Sequence, residues 1–360
     1  TYLGVFLPSD HPLFSECTLW LSLALTSVAL VYVCFSRNRS VFVLGLYLTS
    51  FALLLWLQVR FGRIVGTDIL QEMIVAELTY NAGWTSQLWA QRPYGDSLSV
   101  TILPSIIARV SDLNIAQVFQ FILPGVASVL PIILYLLLEE TFGSQIARLS
   151  SVVYIFDYYS LTMAPQLMRE RIAMIFALLA LYALIRRHKL RHNSYSLLGL
   201  FMIFSTATAH YTLSYLLLLY IASIGITPLI GKTLTYLSLG YAIPSKKVSM
   251  ISRNIFIYAL VVVTAWHVFI ASPVLTHLIE MISDTTMTLV GLKSTVYTYH
   301  PFSQYIISSP RGGFLTAIVT PIYRTTIIVG FFVATLSSNS RNSQYSLGLT
   351  IAGGAMLGLL

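Results

Sequence analysis

RERIAMIFALLALYALIRRHKLRH, running from Arg169 to His192, decides how this 360-residue chain folds. Two arginines and a glutamate open the stretch. A dense basic cluster, Arg186-Arg187-His188-Lys189-Leu190-Arg191-His192, closes it, and everything between is apolar. An apolar run pinned between charged ends is the pattern of a helix that crosses a bilayer with its ends among the headgroups. The expectation is a span over residues 171–186.

The rest of the chain repeats that pattern. Hydrophobic residues make up 56% of it and charged residues 9%, against roughly 25% charged in a soluble domain. Mean hydropathy is +0.78. The 21 Lys and Arg with 13 Asp and Glu are too few to cover a soluble surface of this length. The 22 Tyr, 19 Phe and 5 Trp suit rings placed at membrane interfaces. The apolar runs approach the ~20 residues a bilayer requires and do not alternate, which argues against a β-barrel. The predicted fold is all-α, a polytopic transmembrane bundle forming a single transmembrane domain over 1–360. Its spans, about ten by that length rule, fall near 17–36, 41–60, 115–138, 147–164, 171–186, 194–210, 212–230, 254–274, 315–336 and 344–360. The short apolar stretch from Leu98 to Val110, which contains Pro104, reads as an interfacial or re-entrant helix. Ile351–Leu360 stops inside an apolar run, so a longer chain, truncated here at its C-terminus, is expected. Cys17 and Cys34 lie a span length apart on one predicted helix and cannot pair.

Orientation follows from the basic residues. One set of loops holds Arg37, Arg39, Arg148, Arg186, Arg187, Lys189, Arg191, Lys232, Lys246, Lys247, Arg253 and Arg341, which is 12 of the 21. The positive-inside rule makes this side cytoplasmic. The net charge of +8 is then juxtamembrane charge facing anionic lipid, and no nucleic-acid partner is implied. The sequon Asn38-Arg39-Ser40 falls on the inner side. The opposite side receives a first large external loop with interfacial helices, 61–113, and a second external loop, 275–314. Most of the acids, histidines and remaining arginines collect there, which suggests an outward-facing site. A pump or channel more often strings such groups through the bilayer.

Within the first loop stands Gly66-Thr67-Asp68-Ile69-Leu70-Gln71-Glu72. Asp68 and Glu72 are four apart, so on a helix both carboxylates share one face. Acids beside a span serve chemistry, ion binding or pairing. Cys/His metal quartets, phosphate-cradling Gly loops and Gly-x-Ser-x-Gly turns are missing from the sequence.

With Arg169-Glu170-Arg171-Ile172-Ala173 opening a span and the polar patch Ser205-Thr206-Ala207-Thr208-Ala209-His210-Tyr211-Thr212-Leu213-Ser214-Tyr215 between two spans, the acidic motif completes a pattern over residues 40–230. This pattern resembles archaeal multi-spanning membrane proteins of the GT-C glycosyltransferase type, which use a polyprenyl-phosphate sugar donor. The acidic motif is not the adjacent Asp-Glu pair of protein mannosyltransferases, and the Trp-Trp-Asp of oligosaccharyltransferases is missing, so the acceptor stays unnamed.

The resemblance implies sugar transfer from a polyprenyl-phosphate-linked donor to an acceptor at the external face of the cell membrane. Asp68 would then be the general base, with Glu72 a second acid or metal ligand. Asp68 and Glu72 are the candidate ligands of a divalent metal ion, the one cofactor the resemblance allows. Departing phosphate needs cations, and guanidinium grips phosphate oxygens bidentately. Arg169 and Arg171 are the candidates, with His210 and Tyr211 orienting phosphate or acceptor. Arg324, near the middle of the ninth span, is costly there and must face a helix partner or a lipid phosphate. The 275–314 loop, with Tyr297-Thr298-Tyr299-His300-Pro301 and a Gly312-Gly313 hinge, reads equally as a lid over the donor or as a plain connection.

Plainer roles compete. Thr67 or Asp68 can cap a helix, with Glu72 a solvated first-turn acid. Arg169 and Arg171 can anchor a span or pair with Glu170. His210 can bridge helices, His267 can be interior packing, and Asp157 reads as a structural partner for an arginine. Two other functions stay open: a transporter or flippase of lipid-linked or polar substrates, and a non-catalytic membrane subunit of a larger complex.

The topology is directly testable. In a chain with Cys17 and Cys34 changed to Ser, we expect His188→Cys to react with a membrane-impermeant thiol reagent only from the inner face, and Ser309→Cys only from the outer. The reverse labelling would invert the orientation.

Overall fold

The structure, a computed structural model, describes Ser36, Asn38, residues 39–61, 64, 66–85, 94–156, 168–190, 192–222 and 253–271, and Ser283. The described residues are all-helical, with no strand among them. Their helices are α1 (Arg39–Phe61), α2 (Thr67–Ala82), α3 (Ile102–Ser111), α4 (Ile115–Phe142), α5 (Ser144–Phe156), α6 (Met168–Leu190), α7 (Asn193–Ala209), α8 (Tyr211–Ala222) and α9 (Arg253–Phe269). The chain divides into two compact units, Thr1–Leu218 with Arg253–Ala271 and Leu219–Ser252 with Ser272–Leu360. Of the second, only Leu219–Ala222 and Ser283 are described.

Helix boundaries follow local chemistry. Asn114 and Gln117 form a reciprocal capping box at the start of α4: the Gln117 N–H donates to Asn114 Oδ1 (2.8 Å) and the Asn114 N–H to Gln117 Oε1 (3.0 Å). Such boxes satisfy two of the donors a helix start leaves open. Inside α4 a π-helical turn spans Val118–Ile122, and α4 tightens into a turn at Ser128 and Val129 before Pro131. Gly143, at φ 87°, separates α4 from α5 in a backbone conformation that a side chain would strain.

Among the described residues, α4 is the helix long and apolar enough to cross a membrane. Arg39–Leu55, Ile102–Ser111, Tyr211–Ala222 and Asn254–Phe269 are shorter apolar helices. By length and composition the described residues thus hold one candidate span. Helix α6, 23 residues long, misses that test through its charged ends. Its charged residues sit inside the helix at both ends, leaving Ile172–Ile185 as an apolar middle shorter than the ~20 residues a bilayer asks for. The proposed first, ninth and tenth spans, and the 275–314 loop apart from Ser283, lie outside the described residues.

The two ends of the first unit are chemically distinct. At one end Arg39 pairs with Glu139 (2.6 Å), and Arg186 (3.0 Å) and Lys189 (2.9 Å) pair with Glu140. Arg148 donates to the Ser36 carbonyl there. These contacts tie α1, α4, α5 and α6 together. At the other end, Ile69 and Ala76 of α2, Val100, Ala108 of α3, Phe119 of α4 and Met168 and Ile172 of α6 form one core. This core fixes the start of α6 against α2. Small residues let α7 approach α6, and a Cβ on Gly199 would meet Leu184 Cδ2 at 3.2 Å and Cγ at 3.5 Å.

That approach sets a stability expectation. Gly199→Leu should destabilise by about 1–3 kcal/mol through overpacking, read by denaturation of the purified protein in detergent. Leu197→Ala, on the exposed face of α7, serves as the near-neutral control.

Candidate functional site

Helix α2 turns a stripe inward at Ile69, Glu72 and Ala76, spaced as neighbours on one helical face. Two of these are apolar and anchor the helix in the core. The third is a carboxylate, and the same packing carries it to 0% exposure. Asp68, one turn earlier, is half-buried. Opposite stands Arg169 in the first turn of α6, drawn in between buried Met168 and Ile172 and itself 5% exposed. Its Nε lies 3.6 Å from Glu72 Oε1.

Aromatic rings enclose the Arg169 guanidinium. Its carbon lies 3.5 Å from the centroid of the Tyr94 ring and 6.0 Å from that of Tyr211. Tyr94 adopts φ 69°. For a bulky residue this left-handed backbone stores strain of order 1–3 kcal/mol, and such residues gather at functional sites. The 94–101 turn that carries Tyr94 is bonded to the end of α7: the Leu98 N–H donates to the Thr208 carbonyl (2.9 Å) and Ser99 Oγ to the Ala209 carbonyl (3.2 Å).

His210 occupies the break between α7 and α8, with extended backbone. Its Nδ1 accepts the Leu213 N–H at 3.4 Å, as a cap for α8. An accepting Nδ1 places the proton of the neutral ring on Nε2. That nitrogen lies 3.5 Å from Glu170 Oε1. The ring stacks on Tyr211 at 4.9 Å.

Burial dominates the electrostatics. It pushes the Glu72 carboxyl up to about 8, against the lowering effect of Arg169, and the Asp68 and Glu170 carboxylates add to the rise. Burial also raises Tyr94, again against Arg169. The Asp96 carboxyl is raised by burial, opposed by its own backbone and then by Arg169, His267 and His210.

Among the described residues, the buried side-chain atoms without a hydrogen-bond partner are Glu72 Oε1 and Oε2, Arg169 Nε and His210 Nε2. All belong to this one cluster. Buried polar groups are nearly always paired, and each left unpaired costs about 1–3 kcal/mol.

The structure thus brings Asp68, Glu72, Arg169, His210 and Tyr211 to one end of the first unit. Arg171 goes elsewhere. Two residues on from Arg169 it is turned roughly 200° about the α6 axis, and its Nη1 donates to the Tyr154 hydroxyl of α5 at 2.9 Å. It braces two helices. Arg324 and Asp157 lie outside the described residues. Among the described residues no three His, Cys, Asp or Glu side chains are placed to hold a metal ion, and the Glu72 carboxylate faces Arg169 instead. Sequence reasoning left out Tyr94, counted Asp96 only among the acids of the external side, and read His267 as interior packing. The signal for the first two was the turn-forming Tyr94-Gly95-Asp96-Ser97 inside the external loop. Comparison with protein-family models, curated proteins and solved structures returns no match.

The raised Glu72 carboxyl has a signed consequence. The folded protein keeps a proton on Glu72 that the unfolded chain, titrating near 4.5, releases. Stability should therefore fall as pH rises from about 4.5 through about 8. Thermal unfolding of wild type and Glu72→Gln across that window should show the variant with a flatter dependence. Parallel curves would place the proton elsewhere.

Proposed function

We propose that this chain is a polytopic membrane glycosyltransferase of the GT-C type, moving a sugar from a polyprenyl-phosphate-linked donor to an acceptor at the external face of the cell membrane. One observation carries the reading. Two N–H groups of the cluster meet a carboxylate only at long range and without a good hydrogen bond, Arg169 Nε at 3.6 Å from Glu72 and His210 Nε2 at 3.5 Å from Glu170, and the Glu72 carboxyl holds a proton at neutral pH. Their complement is an anionic oxygen with hydroxyls close by, which is the chemistry of a sugar phosphate.

The residues divide the work. The acceptor hydroxyl oxygen bonds to the anomeric carbon as the bond from that carbon to the phosphate oxygen breaks. The hydroxyl proton passes to the Asp68 carboxylate, and the polyprenyl phosphate leaves with the electron pair. Arg169 and His210 stabilise the charge gathering on the departing phosphate. Protonated Glu72 donates a hydrogen bond where an ionised carboxylate would repel the phosphate. Tyr94, 3.5 Å from the guanidinium carbon, covers one face of the group, so its edge is left to meet the ligand.

Membrane placement is supported by surface and length. Leu197 and Phe201 of α7 and Val261 and Phe269 of α9 are exposed, as lipid-facing side chains would be. Helix α6, 23 residues long, runs about 34 Å at helical rise from the Arg169 cluster to the Glu140 ion pairs. In this reading the chain makes about ten spans as a single transmembrane domain. A transporter is the second reading, favoured by the one fact that Glu72 is a buried, protonatable acid.

Reconstituted vesicles with a panel of polyprenyl-phosphate sugars and a cell-lipid and glycoprotein acceptor extract distinguish the two. We expect transfer by wild type, its loss in Asp68→Asn, and a drop of roughly tenfold or more in Arg169→Lys, which keeps charge but loses the guanidinium fork. Translocation of the lipid-linked sugar without transfer would establish the transporter. Full transfer by Asp68→Asn would move the base to another carboxylate.

A further inference from the structure

The 94–101 turn does more than cage Arg169. Tyr94, at its start, rests on Arg169. Leu98 and Ser99, near its end, are bonded to Thr208 and Ala209, the two residues before His210. Asp96 lies between these two anchors. Its Cα is at most about 7 Å from that of Tyr94 by chain length alone. The turn is held tightly: the Trp84 Nε1–H donates to the Gly95 carbonyl (3.3 Å), the Ser97 N–H to the Tyr94 carbonyl (3.1 Å) and Thr101 Oγ1 to the Ser97 carbonyl (2.9 Å). Asp96 is therefore held by rigid local structure two residues from the ring that covers Arg169.

Groups from three other elements act on that carboxyl: Arg169 of α6, His267 of α9 and His210 of the α7–α8 break. His267 is 1% exposed, and its Nδ1 lies 2.7 Å from the Val263 carbonyl. A carbonyl only accepts, so Nδ1 donates, and Nε2 is the accepting nitrogen of the neutral ring. The ring stacks on Tyr215 at 4.9 Å. Two acceptors, Asp96 on the turn bonded to Thr208 and Ala209 and His267 Nε2 on the ring stacked on Tyr215, thus flank the α7–α8 break that carries a donor, His210 Nε2. That alternation suits neighbouring hydroxyls, each of which donates once and accepts as well.

We propose that Asp96, with His267 beside it, binds the hydroxyls of the transferred sugar and so selects which sugar is used. This rests on the glycosyltransferase reading and deepens it. The cluster then has two poles. Arg169, within its tyrosine cage, takes the phosphate. Asp96 takes the sugar attached to that phosphate, one short turn of chain away. Discrimination follows because a buried acceptor left without its hydroxyl rejects the wrong epimer more strongly than any apolar wall.

The test is binding, which is independent of the acceptor. The full chain in lipid nanodiscs is titrated with a short-chain polyprenyl phosphate, either bare or carrying glucose, mannose or N-acetylglucosamine. We expect wild type to bind one of the sugar lipids more tightly than the bare phosphate. Asp96→Asn should weaken that sugar lipid by roughly tenfold to a hundredfold, the range for a charge-assisted hydrogen bond, and leave the bare phosphate within about twofold. His267→Gln should shift the ranking of the sugars in the same assay, as a second variant should Asp96→Asn fail to fold. The assignment is overturned if Asp96→Asn keeps the sugar preference, if it weakens bare and sugar-bearing lipids equally, or if wild type binds them alike. Failure of wild type to bind any of these lipids would instead sink the glycosyltransferase reading, and this assignment with it.

Discussion

The buried pairing of Glu72 with Arg169 is the contact on which the rest of this structure turns. Taking both charges from water is expensive, and a pair 3.6 Å apart without a hydrogen bond recovers only part of that cost. The structure meets the cost in three ways. Apolar neighbours on the same helical stripes, Ile69 and Ala76 on α2 and Met168 and Ile172 on α6, leave the two side chains nowhere else to go. Tyr94 and Tyr211 offer ring faces to the guanidinium. Burial also keeps a proton on Glu72 up to about pH 8, which removes one of the two charges over the neutral range. Breaking such a pair from one side usually costs about 3–5 kcal/mol, because the other group is stranded. A protein concerned with stability alone would do as well with apolar side chains here.

The opposite end of α6 shows the contrast. Arg186 and Lys189 with Glu140, and Arg39 with Glu139, are partly exposed pairs with good geometry. Pairs of that kind contribute little each and are screened by salt. They hold helix ends in register, and their atoms are satisfied. The Arg169 end is buried, strained at Tyr94 and short of partners. One helix thus carries a satisfied end and an unsatisfied end, with the apolar stretch Ile172–Ile185 keeping them apart.

How far the sequence was legible varies residue by residue. Asp68 and Glu72 were readable as one helical face because helical spacing is local. Arg169, His210 and Tyr211 were readable as chemistry because charged and polar groups beside apolar runs are rare. Arg169 and Arg171 are both buried, and the motif Arg-Glu-Arg does not say which neighbour each meets; helical geometry turns Arg171 to Tyr154. Tyr94 and Asp96 were hidden in an irregular turn, where hydrogen bonds to the distant end of α7 set the conformation. His267, on an apolar helix, was readable only as interior packing.

The amino-acid sequence by itself determined helical class, the shared face of Asp68 and Glu72, and the gathering of basic residues at the end of α6, because each depends on neighbours within a few residues. Only the tertiary structure decided that Glu72 meets Arg169, that Tyr94 covers it, and that the 94–101 turn is bonded to the end of α7 just before His210. Those contacts join residues far apart in the chain, and they exist because the cores of α2, α3, α4 and α6 close on one another and carry the polar side chains inward with them.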